Sequence, residues 1–559
     1  MKKLVSIFLA LALILALGVS AMAAESTTVT INDTIERTFH AYQIMTLETS
    51  PMVGEHHPAE CSLPHATAQE FIDNPHPDSC YRYSYDFAEN SPYLPILQAE
   101  TREHATKNVW GENNAAPATA GEVTDDHIRA YLAEQTSLTM LDVAKRLYDK
   151  FVEANITPVV ITTAEAEDIE QGYWLFVDKT DLEDQHASNS LIIVDTKNDA
   201  ALTITPKAST PVFEKKVKDI DDTQAGALAN AAWIDSADHD IGDNVPFKLT
   251  ATVSSQHVEY NAYKLVFHDT LAKGFTLGTI QNTGVPEDAG KEYVVKMYPS
   301  KAAADNDANV NDGVDVTAKF TFVPVVQEDG STQITVTCAD VNAIPNVTST
   351  TAFVVYYEAV LNENAVLGKA GNVNEAYLEF SNDPYSTDTG KTGTDKVIVF
   401  TYQLKINKID EKGHELEGAE FTLFKYNSVT KAYDRVVPAT ATGDETVFLW
   451  KGLDDGYYRL EETVWPEGYN KMDPLDFTVH AEHVENSDAP ELKSLNGGKL
   501  GDGDIDLGLI DEDIINKTGS VLPETGAQGT LMLIGGGTLL VIFAAVFMIT
   551  RKKMSVYED

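Results

Sequence analysis

Cysteine is nearly absent from this 559-residue chain, which has only Cys61, Cys80 and Cys338. A disulfide-dense scaffold and a multi-cysteine zinc module are therefore excluded. Basic residues are scarce as well: 41 Lys and Arg stand against 86 Asp and Glu, a formal net charge of -45. That balance argues against nucleic-acid binding, because a phosphate backbone requires Lys and Arg to neutralise it. It fits a soluble, self-repelling surface. No lysine occurs between Lys3 and Lys107. No Ser/His/Asp order and no phosphate-cradling loop stands out, so turnover of an external substrate has no support and no cofactor is expected. The run Asp305, Asn306, Asp307 begins like a calcium loop, but Val310 stands where an EF-hand needs glycine. An acidic surface turn is the reading there.

Both ends carry targeting signals. Lys2 and Lys3 precede an apolar run from Leu4 to Val19 and a small-residue site at Ala21 and Ala23. That is the layout of a signal peptide over 1–24. Near the other end, Leu531 to Ile549 carries no charge and is long enough for a membrane helix. Arg551, Lys552 and Lys553 follow and would stay cytoplasmic, which places the bulk of the chain outside the cell. In an exported chain Cys61 and Cys80 could form a disulfide. The nearby His56, His57, His65 and His76 leave a Cys/His metal site open, although the spacing fits no standard pattern. Cys338 ends the alternating run from Ile334 and is expected as a buried thiol.

Between the ends the fold class is mainly β. Residues 25–206 predict an α+β domain with a strand from Thr27 to Ile31. One helix presents Leu141, Ala144, Leu147 and Phe151 on a single face, and apolar runs lie at Tyr173–Val177 and Leu191–Val194. The stretch from about 50 to 120, rich in His, Pro and Asn, predicts loops and insertions. Residues 207–400 and 401–516 show short alternating segments broken by Gly, Asp, Asn and Pro, which predicts tandem Ig-like β-sandwiches. Residues 517–559 hold a linker, the pentapeptide Leu522, Pro523, Glu524, Thr525, Gly526, the apolar span 531–549 and the basic tail.

Strand alternation puts polar residues at core positions. In the third domain Lys408 follows Leu404 and Ile406 inward, Glu462 follows Tyr458 and Leu460, and Asn516 follows Ile514. In the middle domain the same pattern gives Lys215 with Phe213 and Val217, Asp269 with Phe267 and Leu271, and Asn382 with Leu378 and Phe380. Choosing Lys215 over Lys216 rests on strand phase. Burial disfavours both an ammonium and a carboxylate, so a neutral amine would face a protonated acid beside an Asn carboxamide. Those are the parts of an intramolecular amide bond with the acid as single-turnover catalyst. The alternative is a set of buried, hydrogen-bonded polar groups.

Several motifs resemble a known family. The order of pentapeptide, apolar span and basic tail is similar to the Leu-Pro-x-Thr-Gly sorting signal of Gram-positive surface proteins. That resemblance implies sortase cleavage between Thr525 and Gly526. Residues 404–426 resemble a collagen-adhesin B-type domain, and Tyr458 to Tyr469 resembles the pilin E-box, with Trp465 where Ala is usual. The implied fold and function are those of a sortase-assembled major pilin. Its shaft would be stabilised by Lys408–Asn516 and Lys215–Asn382 isopeptide bonds, catalysed by Glu462 and Asp269. At the first domain junction the family carries Tyr-Pro-Lys-Asn. Here only Pro206 and Lys207 are kept, with Thr205 and Ala208 at the flanks, and Lys207 is the expected polymerisation nucleophile. The implied partners are a pilin-class sortase, a housekeeping sortase, other copies of the chain, peptidoglycan, ancillary pilins and host surface ligands. The implied location is the cell surface, covalently attached to the wall. The competing reading is a wall-anchored monomeric adhesin or ancillary pilin that binds a host protein or glycan.

Overall fold

The computed structural model describes residues 26–51, 81–113, 115–182, 186–197, 201–206, 209–282, 288–306 and 313–518. Cys61, Cys80, Lys207, the pentapeptide at 522–526 and the apolar span 531–549 lie outside them, as do the signal segment 1–24 and most of the loop after Asp305. Among the described residues no helix is long and apolar enough to cross a membrane.

Among the described residues the first domain sets three α-helices on largely antiparallel sheet. Buried Thr27, Val29 and Ile31 alternate along β1 (Ser26–Ile31). Next come β2 (Thr38–Pro51), β3 (Tyr81–Asp86), β4 (Val159–Thr162), β5 (Glu167–Glu170), β6 (Gly172–Asp178), β7 (Leu191–Asp195) and β8 (Ala201–Ile204). One sheet runs β3-β2-β6-β7 with β4 beside β2, and a small sheet runs β5-β1-β8. Between β3 and β4 lie α1 (Leu94–His104), α2 (Asp125–Ala133) and α3 (Ser137–Glu153). On α3, Leu141, Ala144, Leu147 and Phe151 are buried, and Thr136 caps its start by accepting from Thr139 N at 3.3 Å. The stretch expected as loops thus contains β3 and α1. A proline in the first turn of α1 suits a position whose N–H has no intrahelical acceptor, and Leu97 buries the helix underside.

The middle domain is a sandwich of two seven-stranded sheets. Its strands are β9 (Phe213–Lys218), β10 (Trp233–Ile234), β11 (Ser236–Asp238), β12 (Asn244–Thr252), β13 (Leu265–Leu271), β14 (Phe275–Leu277) and β15 (Tyr293–Tyr298), then β16 (Val314–Asp315), β17 (Thr321–Val326), β18 (Thr332–Cys338), β19 (Ala352–Leu361), β20 (Asn372–Ser381), β21 (Thr389–Lys391) and β22 (Asp395–Phe400). One sheet runs β10-β9-β12-β19-β15-β16 with β14 on β19. The other runs β11-β22-β20-β13-β18-β17 with β21 on β20. Inward residues of both, among them Phe247, Phe267, Val336, Phe353 and Leu378, form one core. Cys338 is a buried free thiol whose pKa burial pushes up.

The third domain begins at Tyr402, two residues after β22 ends. It comprises β23 (Tyr402–Asp410), β24 (Glu420–Asn427), β25 (Ala432–Val437), β26 (Val447–Leu453), β27 (Gly456–Val464), β28 (Leu475–His483), β29 (Leu492–Asn496) and β30 (Leu509–Asn516). A three-stranded sheet β26-β23-β30 faces a five-stranded sheet β25-β24-β27-β28-β29. The first and last strands, β23 and β30, are parallel neighbours, with Lys408 opposite Ile514 and Asp410 opposite Asn516.

The second and third domains are knotted together by charge. The buried Lys425 ammonium reaches Asp240 Oδ2 at 2.5 Å and Asp222 Oδ1 at 2.8 Å from the middle domain, and also Asp454 of its own domain. Arg435 pairs with Asp222, and Tyr458 donates to Asp454 Oδ1 at 3.0 Å. At Gly508 (φ +61) a Cβ would stand 2.5 Å from Gly368 N, so the two backbones meet where no larger side chain fits. Burial raises the Asp454 carboxyl well above its usual range, while the surrounding carboxylates raise Lys425 against the opposing effect of its own burial. Replacing Lys425 with Met leaves three carboxylates without their cation. The expected loss is about 3–5 kcal/mol, read as a lower urea midpoint for third-domain unfolding; an unchanged midpoint would show that the knot contributes nothing.

Candidate functional site

Alternation on β23 buries Tyr402, Leu404, Ile406 and Lys408 in turn, and on β27 it buries Tyr458, Leu460 and Glu462. On β30 it buries Ile510, Ile514 and Asn516. Lys408, Glu462 and Asn516 are each at most 1% exposed. The Asn516 side-chain N–H donates to Glu462 Oε1 at 2.7 Å, and Met472 N donates to Oε2 at 2.6 Å. Lys408 Nζ donates to Ile514 O at 3.0 Å, on the strand that carries Asn516. Asn516 Oδ1 is buried and has no hydrogen-bond partner among the described residues. Burial brings the Lys408 pKa down to about 8, against the opposing Glu462 charge. A good fraction of the amine is therefore neutral near physiological pH and nucleophilic. The carboxamide nitrogen that would leave rests on the acid that would receive it.

The middle domain builds a second constellation across its two sheets. Lys215 on β9 is fully buried, whereas Lys216 turns outward and pairs with Asp235 at 2.7 Å. Lys215 Nζ meets Asp269 Oδ2 of the opposite sheet at 2.6 Å and Tyr357 OH at 3.3 Å. Tyr357 OH donates to Asp269 Oδ2 at 2.8 Å and accepts from Asn374 Nδ2 at 2.7 Å. Asp269 Oδ1 and Asn374 Oδ1 are both buried and have no partner among the described residues. The Phe247 ring centroid lies 5.2 Å from Lys215 Nζ. Burial drives the Lys215 pKa down against the Asp269 charge and drives the Asp269 carboxyl up against the Lys215 charge. Both shifts favour a neutral amine and a protonated acid.

The asparagine here is Asn374, and this corrects the expectation of Asn382. Asp269 stands opposite Ala376, and Asn374 is the next residue of β20 on the same face. Asn382 lies 382 − 376 = 6 residues further along, about 20 Å at strand rise. Its side chain donates to Leu182 O of the first domain at 3.2 Å. Even-numbered residues of β20 from Asn372 to Phe380 are buried, and counting on in twos reaches Asn382, so alternation could not choose among the asparagines. Only the register with Asp269 does. Tyr357 was also missed, because in the apolar run around Val355 it reads as plain core.

Lys207, Leu522, Pro523, Glu524, Thr525 and Gly526 fall outside the described residues, as do Cys61 and Cys80. Pro206, next to Lys207, is buried at the end of the first domain.

Residues 402–490 match the SpaA prealbumin-like fold domain, and residues 514–555 match the LPXTG cell wall anchor motif. The anchor motif assigns the protein to the cell wall. The chain is 38% identical over 104 residues to the fimbrial subunit type 1 of Actinomyces viscosus, covering 18% of this chain and 16% of that one. It is 30% identical over 128 residues to the trypsin-resistant surface T6 protein of Streptococcus pyogenes serotype M6, covering 20% and 23%. The matches thus span under a quarter of either relative. Among solved structures, the T6 backbone pilin of serotype M6 Streptococcus pyogenes aligns at 13% identity and TM-score 0.45, covering 89% of this chain and 98% of that one.

An Asn516→Ala variant has no carboxamide at this position for the Lys408 amine to react with, so the amine can be titrated. The folded pKa near 8 lies below the ordinary lysine value of about 10.4. Between them the unfolded chain binds the extra proton, so stability rises with pH across that window. NMR titration of the lysine amines should find one midpoint near 8, lost in an Asn516→Ala/Lys408→Met variant. Midpoints all near the ordinary value would refute the buried neutral amine.

Proposed function

We propose that the chain is the shaft subunit of a covalent surface pilus, joined head to tail by a sortase and braced by two self-formed isopeptide bonds. The observation that carries this reading is the Lys408, Glu462 and Asn516 constellation inside a domain of the SpaA prealbumin-like kind, followed directly by an LPXTG anchor motif. The fimbrial subunit and T6 surface protein among its relatives support it.

The internal chemistry balances without a co-reactant. The Lys408 Nζ lone pair attacks the Asn516 carboxamide carbon. Glu462 passes a proton from the attacking amine to the departing nitrogen, the C–N bond breaks and ammonia leaves. Lys215 does the same to Asn374, with Asp269 as the acid and Tyr357 OH relaying between them. The bonds close loops of 516 − 408 = 108 and 374 − 215 = 159 residue steps. By analogy with disulfides, each such loop removes about 5 kcal/mol of unfolded-state freedom.

Between subunits, the sortase cysteine attacks the Thr525 carbonyl and expels Gly526. The Lys207 amine of another copy then resolves the thioester. The joint is heterologous and does not close on itself, so it propagates as an open fibre.

Two measurements test this. The intact protein should weigh less than its sequence by one ammonia per bond, two in all. Glu462→Ala and Asn374→Ala should each restore one, and Asn382→Ala none; a full-sequence mass in the wild type would remove both bonds. Denaturing gels of wall extracts should show a high-mass ladder that collapses to monomer in Lys207→Ala. A ladder in both would move the linkage to another lysine, and a single monomer band in both would favour the anchored adhesin.

A further inference from the structure

The residue displaced from the middle-domain constellation, Asn382, sits where the first two domains meet. It is 2% exposed, and its Oδ1 has no hydrogen-bond partner among the described residues. Its backbone N–H closes a turn by donating to Asp388 O at 3.3 Å, and its own carbonyl accepts from Asn189 N of the first domain at 2.7 Å. That turn forms one wall of a cavity of about 420 Å3, and residues 178–182 of the first domain form the other. Asp383 and Asp388 line it beside Asn382.

Among the described residues the lining is oxygen-rich and holds no sulfur or imidazole. Asp178 is already used: Arg37 Nη1 donates to its Oδ2 at 2.9 Å, and Thr180 N to its Oδ1 at 3.1 Å. Asp383 is 5% exposed, and one of its oxygens accepts from Tyr385 N at 3.0 Å. Burial holds its carboxyl above the usual range, with Asp388 adding to the effect and the Lys179 charge opposing it. The Lys179 ammonium lies 5.6 Å from the ring centroids of both Tyr148 and Tyr385.

We propose that this pocket at the domain junction binds a calcium ion through Asn382 Oδ1 and the carboxylates of Asp383 and Asp388. An amide oxygen cannot donate, so an orphaned one in an acidic pocket calls for a cation or a donor ligand. Hard oxygen ligands select calcium or magnesium over zinc or copper. The cavity exceeds the roughly 30 Å3 share of a water many times over, so the ion keeps part of its water shell. Calcium tolerates that mixed, irregular coordination better than magnesium does. Three protein ligands with two carboxylates give an affinity of about 10−4 to 10−3 M, the range of extracellular modules.

The test is calorimetric titration of calcium chloride into the chelator-treated full-length protein, with the unfolding temperature followed in parallel. Wild type should bind and be stabilised. Asn382→Leu and Asp388→Asn should each weaken binding by at least about tenfold and lose the thermal shift. Asp388 is exposed, so its variant answers the question even if Asn382→Leu fails to fold. No calcium heat in the wild type would overturn the proposal. So would unchanged binding in the variants, which would assign the ion to another acidic cluster such as Asp219, Asp238 and His483.

Discussion

An ammonium group inside a β-sandwich has no water to solvate it, and the arrangement of this molecule answers to that constraint. Among the buried lysines, Lys215, Lys408 and Lys425 are treated in two ways. Lys425 is met by three carboxylates and stays charged. Lys215 meets one carboxylate and Lys408 meets a carbonyl, and burial drives both toward neutrality. The number of opposing charges separates a lysine that binds two domains from a lysine that can react.

The same logic explains why the sites bridge sheets. Lys215 and Tyr357 come from one sheet, and Asp269 and Asn374 from the other. In the third domain Lys408 and Asn516 share a sheet and Glu462 reaches across. Each acid therefore lies at the centre of a sandwich, buried from water. The domain contacts add a second layer of order. The Lys425 knot holds the third domain, while Tyr385 OH, donating to Asp178 O at 2.6 Å, holds the first domain to the second.

Much of this was legible in the residues. Period-two alternation put Lys408, Glu462 and Asn516 on inward faces, and the long first-domain helix followed from Leu141, Ala144, Leu147 and Phe151. Parity could not set register, however. It gave Asn374 and Asn382 the same face but could not say which lies near Asp269, because that depends on where β13 and β20 meet. Tyr357 was hidden for a related reason: a phenol in an apolar run looks the same in sequence whether or not its hydroxyl lands on a carboxylate. The Lys425 knot joins residues more than 180 positions apart, and no local pattern reports such a meeting.

The parallel placement of β23 and β30 has a further consequence for a fibre of the proposed kind. A pull would enter each subunit at Lys207 and leave at Thr525. Of the backbone between them, residues 216–373 and 409–515 would lie inside closed loops and carry no load. The first domain, residues 26–206, would hang outside the line of force altogether, so it needs no cross-link. Such a fibre could not lengthen by spooling out its sandwiches. Its contour length would stay close to the sum of its folded subunits under any force short of breaking a covalent bond.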